Sequence, residues 1–135
     1  MTNEKNILTD EQIETLQGVG ICMIATTSKN GIPHCTIVEP SRIDNNEIII
    51  PIVQMVVSKQ NMLENDNIFL HFYKINPEDA ELNTQYKLSA KAIISTEGKL
   101  FEEIKHYEET EVLPEGFFVN GIVIAKLLSI EECIG

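Results

Sequence analysis

Ile48-Ile49-Ile50-Pro51-Ile52-Val53-Gln54-Met55-Val56-Val57-Ser58-Lys59-Gln60-Asn61 passes from a β-branched run into a polar segment, and a second apolar run over 68–73 follows. The first run reads as a strand and Ser58 as the start of a short helix, with the next strand close behind. A strand that ends at a helix N-terminus bearing Ser and Lys can hold an anion. Free backbone N–H groups, a hydroxyl and an ammonium converge there. The plainer alternative is that Ser58 only caps a connecting helix.

The rest of the chain bounds what that segment can serve. With 135 residues, 43% of them hydrophobic, there is enough chain for one core and too little for two ordinary domains, so 1–135 reads as a single domain. A formal charge of −11 argues against nucleic acid and against anionic lipid surfaces, both of which need a basic face. The N-terminus is polar and has no secretory pattern, and the longest apolar runs, 48–53 and 121–128, fall far short of a membrane span. A soluble, cytoplasmic protein is expected. Cys22, Cys35 and Cys133 are odd in number and lack CxxC spacing, which argues against a disulfide framework or zinc site. Cys22 and Cys35 lie in apolar strand contexts and read as small core residues. His34, His71 and His106 are dispersed and read as structural or surface groups; GxSxG, P-loop and GxGxxG motifs are absent.

Thr9 with Gln12 three residues on forms a capping box, with Asp10 and Glu11 in the first turn and Ile13 and Leu16 on the apolar face; Gly18 or Gly20 ends that helix. A strand over 21–27 is apolar throughout and is expected to be buried on both sides. Ser28-Lys29-Asn30-Gly31 turns it back, with Asn-Gly suited to positive φ. The return strand, 32–43, carries Pro33 and Pro40 and is expected to be irregular or at an edge. A turn at 44–46 leads into the Ile48 run, and 65–67 ends the short helix. A polar loop over 74–85 reads as the most mobile segment. A half-buried strand is expected over 86–94, and a helix over 97–109 with Leu100, Phe101, Ile104 and Tyr107 as its stripe. The last strand is expected over 117–128, with Ser129 capping a final turn at 130–133. Six or so strands, a terminal helix and two inserted helices make a mainly β protein: a small antiparallel barrel with helices at its ends.

On these residues the chain resembles the FMN-binding split-barrel, or pyridoxamine-phosphate-oxidase-like, family, and more narrowly the small FMN-binding proteins of sulfate-reducing bacteria. The likeness spans most of 18–134. It is carried by Gly20 leading through Ile24-Ala25-Thr26 to Gly31 with Pro33-His34, by the Ile48–Pro51 run with Met55, Ser58 and Asn61, and by Phe117-Phe118 through Ser129-Ile130-Glu131. The resemblance implies an antiparallel split β-barrel and a homodimer with FMN at the subunit interface. It implies that the flavin edge meets Ile37, Val38 and Glu39, that Pro51, Val53, Gln54 and Met55 lie by the ring, and that the phosphate sits at Ser58. Phe118 and Ile134 of a second copy would close the pocket; the residue-level alternative for Phe118 is a plain core aromatic.

Three positions depart from the family pattern. Val57 stands where a relative has a basic residue, and Val53 and Gln54 stand where small residues let backbone approach the ring. One opposite charge at ~4 Å and an effective dielectric of ~20 contributes on the order of 4 kcal/mol before desolvation. The missing cation is therefore expected to be replaced by Lys59 or Arg42, each of which reads otherwise as a surface cation. Glu39 would lower a flavin's reduction potential, or is simply an exposed strand-end carboxylate. The function implied is that of an FMN flavoprotein, an oxidoreductase or electron carrier with an unknown redox partner or small-molecule substrate. The alternatives are a barrel that binds a deazaflavin or heme, the latter through His71 or His34, and one that has lost its cofactor and serves as a binding or sensing module.

Overall fold

The computed structural model describes residues 5–19 and 21–134. The elements follow the chain as α1 (Asp10–Gln17), β1 (Ile21–Thr27), β2 (Pro33–Val38), β3 (Arg42–Ile43), β4 (Glu47–Ile52), α2 (Val56–Glu64), β5 (Asn67–Lys74), β6 (Thr84–Ser95), α3 (Lys99–Tyr107) and β7 (Gly121–Ile134). A 3-10 turn (Ala80–Leu82) precedes β6, and a π-helical turn (Glu108–Val112) extends α3. The strands form one antiparallel sheet in the order β2-β1-β5-β6-β7-β4-β3. Its two edges do not pair with each other, so the sheet is split rather than closed.

The locally encoded features form as read. Thr9 accepts from the Gln12 amide while the Gln12 side chain accepts from the Thr9 amide, and Gly18 is the C-cap. Gly20, the other candidate stop, lies outside the described residues. Asp44 Oδ1 accepts from the amides of Asn46 and Glu47, which fixes the second turn. In the first hairpin only Gly31 takes positive φ, at 84°. The Gly31 amide donates to the Ser28 carbonyl (2.9 Å) and Ser28 Nα to the Ile32 carbonyl, so an ordinary turn closes on one left-handed glycine. Pro33 opens β2 and Pro40 follows it, and β2 is an edge strand, where a missing donor costs no ladder bond.

Burial explains where apolar runs continue and where they alternate. On β4, Ile48, Ile50 and Ile52 enter the main core with Ile24, Leu70 and Phe72, while Ile49 packs on the other face with Phe101, Ile104 and Val119 beneath α3. That strand is covered on both faces. On β1 only Cys22, Ile24 and Thr26 are buried, and the intervening residues are half-exposed, contrary to the expectation of two-sided burial. Their face is shared with exposed Ile37 and Phe69 of the neighbouring strands, and no helix among the described residues covers it. Cys35 lies on that outer face too and is exposed rather than in the core.

Two C-terminal expectations are corrected. β7 begins at Gly121, not at 117, and runs to Ile134, with no capped turn after Ser129. Pairing with β6, from Thr84↔Ile134 to Ser95↔Ile122, supplies the partners that keep it extended, and a bulge near Ser89/Ala90 absorbs Leu128. The helix expected over 97–109 spans Lys99–Tyr107, and its buried stripe passes from Phe101 and Ile104 to Glu108, leaving Tyr107 half out in solvent. The loop read as 74–85 is ordered by Asn76 and Asn83 and holds the 3-10 turn.

Candidate functional site

The chain leaves β4 through Val53 and Gln54 and enters α2 at Met55, its N-cap. Ser58 is thus not the first residue of the helix but lies in its first turn. Gln54 has φ +57°, the left-handed region, which costs a non-glycine residue on the order of 1 kcal/mol and is tolerated where the surroundings impose it. Met55 makes no side-chain cap and the first turn contains no acidic residue. The first intrahelical bond runs from the Lys59 amide to the Met55 carbonyl (2.9 Å), so the amides of Val56, Val57 and Ser58 precede it without an intrahelical acceptor. The Ser58 side chain is buried, and its Oγ has no hydrogen-bond partner among the described residues. An unpaired buried hydroxyl costs on the order of 1–3 kcal/mol and calls for a ligand or a functional reason.

Three cavities meet at this junction, and Met55 lines all of them. One, of about 230 Å³, is lined by His34, Thr36, Gln54, Val56, Val57 and Ser58. A second, of about 450 Å³, has Ile52, Gln54, Lys59, Gln60 and Asn120 in its walls. Among the described residues no carboxylate lines either of them, in a chain with 21 acidic residues. The third, of about 160 Å³, lies between Ile37, Val38 and Glu39 on one side and Pro51 and Val53 on the other, closed by Glu108, Val112 and Leu113.

Of the residues singled out from sequence, Ile37, Val38, Glu39, Pro51, Val53, Gln54, Met55, Ser58 and Lys59 are therefore gathered around one strand-to-helix junction. Arg42 is not among them: it lies on β3, half-exposed, 3.9 Å from Glu103. Ile134 is exposed at the opposite end of β7 from Gly121. Phe118 is 61% exposed, which removes the core-aromatic reading, and Lys105 Nζ lies 5.8 Å from its ring centroid. Glu108 is the residue that sequence reading missed. Its signal was its place four residues beyond Ile104, on the face that carries Phe101.

The segment bearing Phe118 is clamped to α3. Lys105 Nζ pairs with Glu109 Oε2, which also accepts from the Val119 amide at 2.8 Å. The Lys105 ammonium and the Val119 N–H hold the Glu109 carboxyl below the ordinary carboxylate range. The clamp therefore contributes stability above the ordinary carboxylate pKa and loses it as pH falls through the depressed folded value. Acidification is expected to release 117–120 before global unfolding, read as faster amide exchange at Val119. Glu109→Gln should show that fast exchange already at neutral pH; equal acid profiles for both proteins would refute the clamp.

The remaining reactive groups do not form a second centre. Burial pushes the Cys22 thiol up to about 12, leaving it inert, and the Cys133 thiol donates to Glu131 (3.3 Å). His71 is 2.9 Å from Gln85. Among the described residues no three His, Cys, Asp or Glu side chains come together as a metal site, and no helix is long and apolar enough to cross a membrane.

A family model described as pyridoxamine 5'-phosphate oxidase matches residues 8–121. Among solved structures, HupZ of Group A Streptococcus has a TM-score of 0.77 at 19% identity, covering 95% of this chain and 95% of its own. An FMN-binding protein from Syntrophomonas wolfei gives 0.74 at 15%, over 90% of this chain and 84% of its own. HutZ, the heme storage protein of Vibrio cholerae, gives 0.67 at 10%, over 96% and 95%. At such identities these likenesses speak to fold alone. No curated protein sequence matches the chain.

Proposed function

Because this chain belongs to the pyridoxamine 5'-phosphate oxidase family, we propose that it is an FMN-binding flavoprotein, an oxidoreductase or electron carrier that works as a homodimer. The observation that carries this reading is the uncapped start of α2, where free amides and the unpartnered, buried Ser58 hydroxyl face cavities without a carboxylate. Every polar group offered there by Val56, Val57, Ser58 and Lys59 is or can be a donor, which suits a phosphate. Lys59 supplies the positive charge that Val57 lacks, and Arg42 is engaged with Glu103 instead.

The ring would lie against Ile37, Val38 and Glu39 and beside Pro51, Val53 and Met55, with the left-handed turn at Gln54 standing in for the small residues that allow close approach. Bound FMN would supply hydride or electron transfer; the chain binds, orients and shields it. A single-chain cavity of about 160 Å³ is small for a tricyclic ring, and exposed Phe118 and Ile134 of a second copy would complete it. The half-exposed outer face of β1 with Ile37 and Phe69 supports pairing of two copies.

A second reading, heme, rests on His34, which lines the cavity shared with Ser58. A visible absorption spectrum after incubation with excess FMN and desalting tests both. Retained flavin bands are expected. A Soret band after hemin addition with no flavin retention would favour heme, a deazaflavin would give its own spectrum, and a protein that stays colourless would leave a binding or sensing module.

A further inference from the structure

Glu108 is the one carboxylate brought inward by α3, and its exposure is 5%. Phe101, Ile104 and Glu108 follow at helical spacing, so the packing that seats the two apolar side chains turns the carboxylate in with them. The turn that follows is π-helical, with the Leu113 amide donating to the Glu108 carbonyl at 2.7 Å, and it sets Val112 and Leu113 in the same cavity wall. Such turns inside helices recur at functional sites. One oxygen of Glu108 accepts from the Ser41 hydroxyl. Among the described residues no cation pairs with Glu108: Lys105 is held by Glu109 and Arg42 by Glu103.

Glu108 is thus a buried carboxyl group whose one hydrogen-bond donor is a hydroxyl and which, among the described residues, has no counter-charge, so its remaining acceptor capacity is open to a ligand. Here it lines the cavity between Ile37–Glu39 and Pro51–Val53, where it meets whatever ring enters. A carboxylate oxygen only accepts. The pyrimidine edge of a flavin presents a single N–H between two carbonyl groups, whereas a porphyrin rim presents carboxylates, which Glu108 and the nearby Glu39 would repel.

We propose that Glu108 is a specificity-determining residue of this cavity: it accepts the N–H of an imide-edged ring and disfavours a ring that brings or gains negative charge. The proposal rests on the FMN reading and goes beyond it in naming what sets the cavity's choice. A flavin reduced at neutral pH takes up two electrons and one proton and carries one negative charge, so Glu108 also holds the midpoint potential down.

Two variants test it, with folding checked by far-UV circular dichroism. Glu108→Gln keeps the shape and an acceptor but removes the charge, and should raise the midpoint potential of bound FMN in a dye-equilibration titration. Glu108→Met removes the acceptor. The unaltered protein should prefer FMN to FMN methylated at the imide nitrogen by about tenfold, in line with one charge-assisted hydrogen bond, and Glu108→Met should lose that preference. An unchanged potential in the first variant, or an unchanged preference in the second, overturns the role of Glu108 while leaving FMN binding in place. Failure of the unaltered protein to bind FMN overturns both.

Discussion

Ser58→Ala is expected to weaken FMN binding by roughly 10- to 100-fold while making the ligand-free protein more stable by about 1 kcal/mol. The two effects have opposite signs because they arise from one unpaired hydroxyl. Without a ligand, the buried Ser58 Oγ has lost water and gained no partner, so its removal relieves a penalty. With a phosphate bound, the same group would donate a charge-assisted hydrogen bond, of a kind worth about 1.5–3 kcal/mol. Fluorescence titration with FMN measures the first effect and thermal unfolding of the ligand-free protein the second. If Ser58→Ala lowers ligand-free stability and leaves FMN affinity unchanged, Ser58 is an ordinary packing residue and the phosphate site lies elsewhere.

Phe72→Ala is expected to cost about 3–5 kcal/mol, a large share of the roughly 5–15 kcal/mol that holds a typical domain together. Phe72 is 1% exposed on β5, between Cys22 of β1 and Tyr86 of β6, and packs in the main core. Its strand has a strand paired on each side, so the backbone is poorly placed to collapse into the space left behind. A fall in melting temperature of about 10–20 °C should accompany it. A loss below about 1 kcal/mol in urea denaturation would mean that this core repacks far more freely than its burial implies.

What is legible in the sequence is what the chain encodes locally. The capping box at Thr9 and Gln12, the turn at Asp44 and the edge position of the Pro33 strand each depend on a few adjacent residues. The run Ile48–Ile50 and the segment 21–27 look alike in sequence but differ in the structure. Only the former has α3 packed across its second face. The course of 129–134 was hidden because those residues are extended only through pairing with 84–89, a distant segment. At the site, Ser58 and Lys59 stood out by type. Glu108 did not, because helical spacing from Phe101 and Ile104 admits Tyr107 equally well, and tertiary packing turned the carboxylate inward. The left-handed backbone of Gln54 had no signal, since the residue that usually announces it is glycine.

The strand order has a consequence for how the chain is made. β4 has only the two-residue β3 as a neighbour nearby in sequence, and its other partner is β7, at the far end. β1, β2, β5 and β6 can pair as soon as they emerge from the ribosome, but the segment from Ile48 to Ile52 must wait for Gly121–Ile134. In that interval a β-branched stretch of low charge is unsheathed, the composition that seeds intermolecular pairing. Pro51, one residue from its end, lacks an amide donor and so acts as a gatekeeper for the nascent chain.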